Sequence, residues 1–236
     1  MEPITDRATP HPLVAVAAAG RLPGWAAAGR ERRAHMARVA ALLEAWAREL
    51  GLGKRDVVRW AAAGYLHDAL RDASPSELGS LPGMDAAKPR SPTQVAGSGA
   101  GGASGKPVPP DLPLRRLPPN ARHGPAAAIL LRREGVDDPE LLHAIRWHTL
   151  GSADFGLLGR ALYAADFLEP GRRPRKEWRE GLRSRAPDEL ENVLIEIVTS
   201  RIDYLSRAGR AVHSRTAGFR ESLVNGRRRC GDVYYR

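Results

Sequence analysis

The chain has 236 residues, a net charge of +10 with histidine neutral, and a single cysteine, Cys230. That length fits one ordinary domain with tails or an insertion, and one cysteine excludes an internal disulfide and a cysteine-built zinc site. Apolar residues make up 42% of the chain, many of them alanine, which favours closely approaching helices over a sheet of branched residues.

Residues 1–25 carry several prolines and no sustained period, so they read as a loose arm. Within them LVAVAAAG resembles a short signal-peptide core, but only Arg7 precedes it, beside Asp6, and the run is too short to span a bilayer. A cytoplasmic protein with no membrane partner is the expectation. A domain over 26–208 follows. Its first helix runs from about 26 to 50, with Val39, Leu42, Leu43, Trp46 and Leu50 on one face and Arg32, Arg38 and Glu44 on others. Gly51 and Gly53 stop it, and the next helix covers 54–70.

Residues 73–118 interrupt the domain with SPSELGSLPGMDAAKPRSPTQVAGSGAGGASGKPVPPDLP, too rich in Pro, Gly and Ser to pack. They read as a flexible, disordered insertion with one short helix near Ser76. GSGAGGASGKP inside it imitates a phosphate-binding loop, but the glycine spacing fails and Pro107 stands where a Ser or Thr is needed. Order returns at His123, where AAAILLRREG reads as a helix closed by Gly135 and Pro139 opens another in PELLHAIRWHT. Helices over 157–168 and 188–205 follow, and 209–236 reads as a basic, mostly irregular tail. No run alternates β-branched residues, so the fold class is all-α.

Six side chains at helix faces or ends carry the chemistry. His35 lies on the apolar face of the first long helix, four residues before Val39. His67 and Asp68 end the second, in VVRWAAAGYLHDAL, and His123 precedes a helix. His148 shares a face with Leu141, Ala144 and Ile145, and Asp166 follows Leu162 and Tyr163 in RALYAADFLEP. Each alone is more simply read as a satisfied core residue or a cap. Together, four imidazoles and two carboxylates in one interior are costly to desolvate unless cations compensate them, and both groups ligate divalent metals. His143 lies about 140° around its helix from His148 at about 100° per residue, and His11 and His213 fall in the arm and tail, so none of these three is expected among the ligands.

The passages AHMARVAALLEAWA, AAAGYLHDALRD, ARHGPAAAILLRREGV and LLHAIRWHTLGSADFGLLGRALYAADFLEPGRR resemble the HD superfamily of metal-dependent phosphohydrolases. Within it they are most similar to the YqeK-type branch of symmetrical diadenosine tetraphosphate hydrolases. The resemblance spans 30–72 and 119–223 and implies an HD-domain helical bundle with metal ligands His35, His67, Asp68, His123, His148 and Asp166. Six ligands suit two ions rather than one. Asp68 is the bridge, and a water activated between the ions is the implied nucleophile. The donor types admit Fe, Mn, Co or Zn, and the resemblance favours iron.

Asp68 and Arg71 are the expected catalytic residues. Arg71, Arg146, Arg172, Thr149 and the amides around Gly151 are the expected substrate contacts, with Arg173 a further cation near them. Arg71 stands where many relatives have lysine and grips phosphate as a fork. Glu169 and Pro170 end the Asp166 helix, and Glu169 is expected at the surface. The implied reaction gives two ADP from diadenosine tetraphosphate. Two other readings remain open: an HD phosphohydrolase acting on another nucleotide, alarmone or phosphodiester, and a basic nucleic-acid or ribosome-associated protein on an HD scaffold. The charge suits equally an anionic partner, whether nucleotide or nucleic acid, and a merely solvated arginine-rich surface. Nucleic acid is the less favoured partner, and the sequence leaves the oligomeric state open.

Overall fold

Small side chains let helix backbones approach closely, and this chain is assembled on that property. The structure, a computed structural model, describes residues 9–80 and 114–231. Most of the expected insertion, including the glycine-rich run at 97–107, lies outside the described residues.

Those residues form ten α-helices and two short 3-10 turns, with no strand among them. In chain order they are α1 (Pro12–Ala18), α2 (Arg30–Glu49), α3 (Lys54–Leu66), α4 (Pro75–Ser80), α5 (His123–Arg133), α6 (Pro139–Trp147), α7 (Leu157–Leu168), α8 (Lys176–Arg185), α9 (Leu190–Arg207) and α10 (Ser214–Gly231). The all-α expectation holds, and α4 is the short helix read near Ser76. No described helix is long and apolar enough to cross a membrane.

At the centre lies α7, buried nearly all round through Leu158, Ala161, Leu162, Tyr163, Ala164, Ala165 and Leu168, as a helix without a polar face must be. It touches α2, α3, α6, α8 and α9. On its neighbours α2 and α3 the closest approach falls at Gly64, where a Cβ would stand 2.4 Å from the Ala40 Cα. Backbone hydrogen bonds then stitch the start of α2 to the turn after α3. Ala27 N–H donates to the Ala69 carbonyl at 2.8 Å, Asp72 N–H to the Ala27 carbonyl at 3.2 Å, and Gly29 N–H to Asp72 Oδ2 at 2.9 Å.

Three stretches depart from the sequence reading. Part of the supposed arm folds as α1, whose Val14 and Ala17 are buried in contact with α3; His11 caps it, accepting from Leu13 N–H at 3.2 Å. Part of the supposed irregular tail is α10, which packs on α9 and buries Phe219 and Leu223. Between 168 and 190 the chain adds α8, held by the buried Leu182 and the half-buried Trp178. Apolar residues are sparse in α8 and α10 and run without a helical period in the short α1, so periodicity is weak in all three and tertiary contact decides.

An ion-pair cluster fixes α6 against α3. Asp138 caps α6, accepting from Leu141 N–H at 3.0 Å, and also receives the Arg59 guanidinium at 2.6 and 2.9 Å. Asp56 and Glu140 complete the cluster around Arg59. Burial opposes an ionised Asp138, but Arg59 and the Leu141 amide outweigh it and hold the carboxyl below its ordinary range. A folded-state pKa below the unfolded one contributes stability that is present above about pH 4 and is lost as pH falls through the folded value. Asp138→Ala is therefore expected to destabilise the fold by about 1–3 kcal/mol near neutral pH. In urea unfolding, its deficit against the unsubstituted chain should shrink below about pH 4; a deficit independent of pH would remove the ion pair from the explanation.

Candidate metal centre

Five helices deliver the six expected side chains to one place. His35 comes from the buried face of α2, and His67 is the residue that ends α3, with Asp68 in the turn behind it. His123 begins α5, His148 ends α6, and Asp166 sits in the last turn of α7. All but Asp166 are buried, and the Asp166 side chain is 21% exposed.

The atoms that face inward are imidazole Nε2 and carboxylate oxygens. Asp68 Oδ1 lies 3.0 Å from His123 Nε2 and 3.4 Å from His148 Nε2. Asp68 Oδ2 lies 3.7 Å from both His35 Nε2 and His67 Nε2. Asp166 Oδ1 is 3.1 Å from His35 Nε2 and 3.9 Å from His67 Nε2. Two overlapping groups of potential ligand atoms result, His35–His67–Asp166 and His67–Asp68–His148, each with its atoms within 4.8 Å of one another.

Three of the four imidazoles are held from behind, whereas His123 Nδ1 is buried without a hydrogen-bond partner among the described residues. His67 Nδ1–H donates to the Gly64 carbonyl at 2.8 Å, and His148 Nδ1–H donates to the Ile145 carbonyl at 2.8 Å. His35 Nδ1–H donates to Glu169 Oε1 at 3.2 Å. Each bond leaves an Nε2 lone pair pointing at the cluster, as a metal-ligating histidine requires. The fit can be tested on unsatisfied atoms, because Nε2 of His35 and of His67 are both buried without a hydrogen-bond partner. A buried polar atom left so costs about 1–3 kcal/mol, and a cation would satisfy both.

Charge states agree. Burial lowers His67 to about 4, against the pull of Asp68, and burial likewise lowers His123. His35 goes the other way: burial lowers it, but Asp166 and Glu169 outweigh that and raise it. Burial disfavours an ionised Asp68, yet His67, His123 and His148 hold it well below the ordinary carboxylate range. Asp166 is also pushed down, burial being overcome chiefly by His35 and His67. The cluster thus offers ionised carboxylates beside imidazoles, two of which favour the neutral form.

Of the other expected residues, Thr149 is closest, its hydroxyl 3.0 Å from His148 Nε2 and 3.4 Å from His123 Nε2. Arg172 pairs with Asp166 at 2.7 Å. Arg71 Nη1 donates to the Asn120 carbonyl at 2.9 Å, and its charge reaches His123. Arg146 lies against Trp147 and lines a small cavity with His143, and Arg173 is exposed. Gly151 corrects one expectation, because its amide is already spent on the Trp147 carbonyl at 2.8 Å. Its φ of +82° closes α6, where a Cβ would meet Phe219 at 2.4 Å. As expected, His143, His11 and His213 stay outside; they meet Ser152, Leu13 and Arg215 respectively.

Two residues were misplaced. Glu169 is not a surface group but 3% exposed, binding His35, Arg38 and the Gly171 amide. Burial opposes its charge, and these partners still bring it down to about 2. Arg32, assigned to another face, donates to Asp68 Oδ2 at 2.7 Å. Each lies three residues along a helix from a ligand, Arg32 before His35 and Glu169 after Asp166. That spacing brings side chains together and was the available signal.

Residues 32–88 match the HD domain family. The chain is 33% identical over 109 residues to a symmetrical bis(5'-nucleosyl)-tetraphosphatase of Bacillus subtilis, the match covering 46% of this chain and 58% of that protein. It is 30% identical over 103 residues to one of Halalkalibacterium halodurans, covering 43% and 54%. The chain thus spans little more than half the length of these curated relatives. A crystal structure from Clostridium acetobutylicum, described as a predicted HD superfamily hydrolase involved in NAD metabolism, superposes with a TM-score of 0.62. It is 23% identical, with 84% of this chain and 90% of that one covered, and it shares the fold.

Removing the carboxylate behind His35 should loosen the centre without unfolding it. Glu169→Ala is expected to weaken Mn or Zn binding by about 10–100-fold, read by competition titration with a chromophoric chelator, with the far-UV circular dichroism unchanged. Affinity unaltered in a folded variant would show that Glu169 does not position His35.

Proposed function

We propose that this chain, whose residues 32–88 match the HD domain family, is a metal-dependent hydrolase that cleaves dinucleoside tetraphosphates symmetrically. Diadenosine tetraphosphate would give two ADP. The observation that carries the reading is the convergence of His35, His67, Asp68, His123, His148 and Asp166, with buried Nε2 atoms of His35 and His67 left unsatisfied. The substrate class comes from the relatives, which are named for this reaction.

Six donors and two overlapping ligand groups favour a pair of ions, of which iron is preferred and Mn, Co or Zn fit the same donor types. Bound there, such ions would acidify a water and neutralise charge on phosphoryl oxygens. The chain's own residues do the positioning. Asp68 holds its place through Arg32 on Oδ2 and faces His123 and His148 through Oδ1. Thr149 stands beside those two histidines as a neutral donor for a phosphoryl oxygen. Arg71, tethered by Asn120, and Arg172, on Asp166, are the cations next to the cluster. They would take up charge as one central P–O–P linkage breaks, the water hydroxyl passing to one phosphorus and its proton to the other product. No redox change is required, and a cytoplasmic nucleotide is the fitting substrate.

The test is a nucleotide panel on the purified full chain with added Fe, Mn or Co, including dinucleotides related to NAD. ADP is expected as sole product from diadenosine tetraphosphate, with close to two transition metals per chain by elemental analysis. Asp68→Ala should lower turnover at least about 1,000-fold while the helical circular dichroism persists. Salt-sensitive RNA binding that survives chelation, with no nucleotide hydrolysed, would overturn the reading in favour of a nucleic-acid-binding role.

A further inference from the structure

A second feature lies beside the donor cluster. A cavity of about 510 Å³ opens between the C-terminal end of α7, the start of α8 and the C-terminal half of α9, within the size range of small-molecule sites. Phe167 in its wall directly follows Asp166, and Asn120 in its wall is the residue whose carbonyl holds Arg71. The cavity therefore borders the proposed metal centre.

Its lining combines cations with aromatic surface. Arg175, Arg179, Arg201, Arg207 and Arg210 line it, and no acidic residue does. None of the five forms an ion pair with a carboxylate among the described residues, whereas Arg32, Arg38, Arg59, Arg172 and Arg185 all do. Arg179 reports the resulting field: burial and the neighbouring Arg172 and Arg175 disfavour its charged form and outweigh Asp166 and Glu169, which favour it. Guanidinium groups cover the rings of Trp178 and Phe167 at 3.7 and 3.9 Å. Tyr204, by contrast, is 61% exposed at the same cavity. Arg175 and Arg179 are held by Ser200 and by the Pro174 and Phe167 carbonyls, whereas Arg207 and Arg210 are exposed. Guanidinium groups without a carboxylate partner fit phosphate, and an open aromatic face beside them fits a planar base.

We propose that this cavity is a nucleotide subsite, binding the base and adjoining phosphate at one end of a substrate whose remaining phosphates reach the metal centre. Its role toward the substrate rests on the hydrolase reading above; its ability to bind a nucleotide does not. Tyr204 stacks on the base, and Arg207 and Arg210 hold phosphate.

The experiment is isothermal titration calorimetry of the purified full chain with ADP and, separately, with inorganic pyrophosphate. Tyr204→Ala and the double substitution Arg207→Ala with Arg210→Ala change exposed side chains, and melting curves verify that both variants are folded. Tyr204→Ala should weaken ADP binding by about tenfold or more and leave pyrophosphate binding unchanged, while the double variant should weaken both. ADP binding that is absent from the unsubstituted chain, or equal in all three proteins, would overturn the subsite. Symmetrical hydrolysis retained with ADP affinity equal in all three would remove the subsite and keep the hydrolase. The expected variant pattern in a chain that hydrolyses nothing would keep the subsite and remove the hydrolase.

Discussion

Asp68 is a nearly fully buried carboxylate, 4% exposed, and the arrangement around it is set by the need to keep it ionised. Moving a carboxylate out of water costs several kcal/mol unless partners replace the lost solvation. Here Arg32 takes one oxygen, and His123 and His148 face the other. Those partners sit on α2, α5 and α6, so the carboxylate is satisfied only if three helix positions are right together. The contact of Gly64 with Ala40 sets how near α2 can come to α3, and the Arg59–Asp138 pair sets α6 against α3. Packing and electrostatics thus specify the same geometry.

A shared device orients two of the imidazoles. His67 and His148 each stand at the C-terminal end of a helix, where backbone carbonyls lack intrahelical partners. Each donates Nδ1–H to a carbonyl three residues back, on Gly64 and Ile145. One bond satisfies a carbonyl and presents Nε2 to the cluster. His35 has no such carbonyl, because it lies early in a continuous α2 whose carbonyls are engaged by the following turn. A carboxylate from elsewhere has to do the work, and Glu169, just past the end of α7, supplies it. Glu169 is in turn held by Arg38, which is three residues on from His35. Burying Glu169 follows from where His35 sits.

This explains which parts of the centre were legible in the sequence. The ligating types could be picked out because apolar periodicity placed His35, His148 and Asp166 on inward faces, and because a His-Asp pair at the end of an apolar helix is costly without a cation. Glu169 was not legible as a buried group, since a glutamate before a proline after a helix carries the ordinary pattern of an exposed terminus. Arg32 was hidden in a run of arginines, although its spacing from His35 matched a shared face. The same limit applies to the fold. The helices α2, α3, α6, α7 and α9 announce themselves by dense apolar stripes, whereas α1, α8 and α10 rest on one to three buried residues each, such as Val14 with Ala17, Leu182, or Phe219 with Leu223.

Composition could not decide what the arginines are for, because charge counts do not report partners. The structure separates them. Arg59, Arg160 and Arg185 face carboxylates on neighbouring helices or turns and are consumed in holding the bundle together. Arg32, Arg38 and Arg172 pair with Asp68, Glu169 and Asp166 at the donor cluster. Five further arginines gather where α7, α8 and α9 meet, lining a cavity whose wall holds no acidic residue. A merely solvated surface gives no reason for such clustering, since like charges repel and exposed arginines gain nothing from one another. An anionic ligand gives one. Part of the excess charge of the chain therefore acquires a location, and the location is next to Asp166.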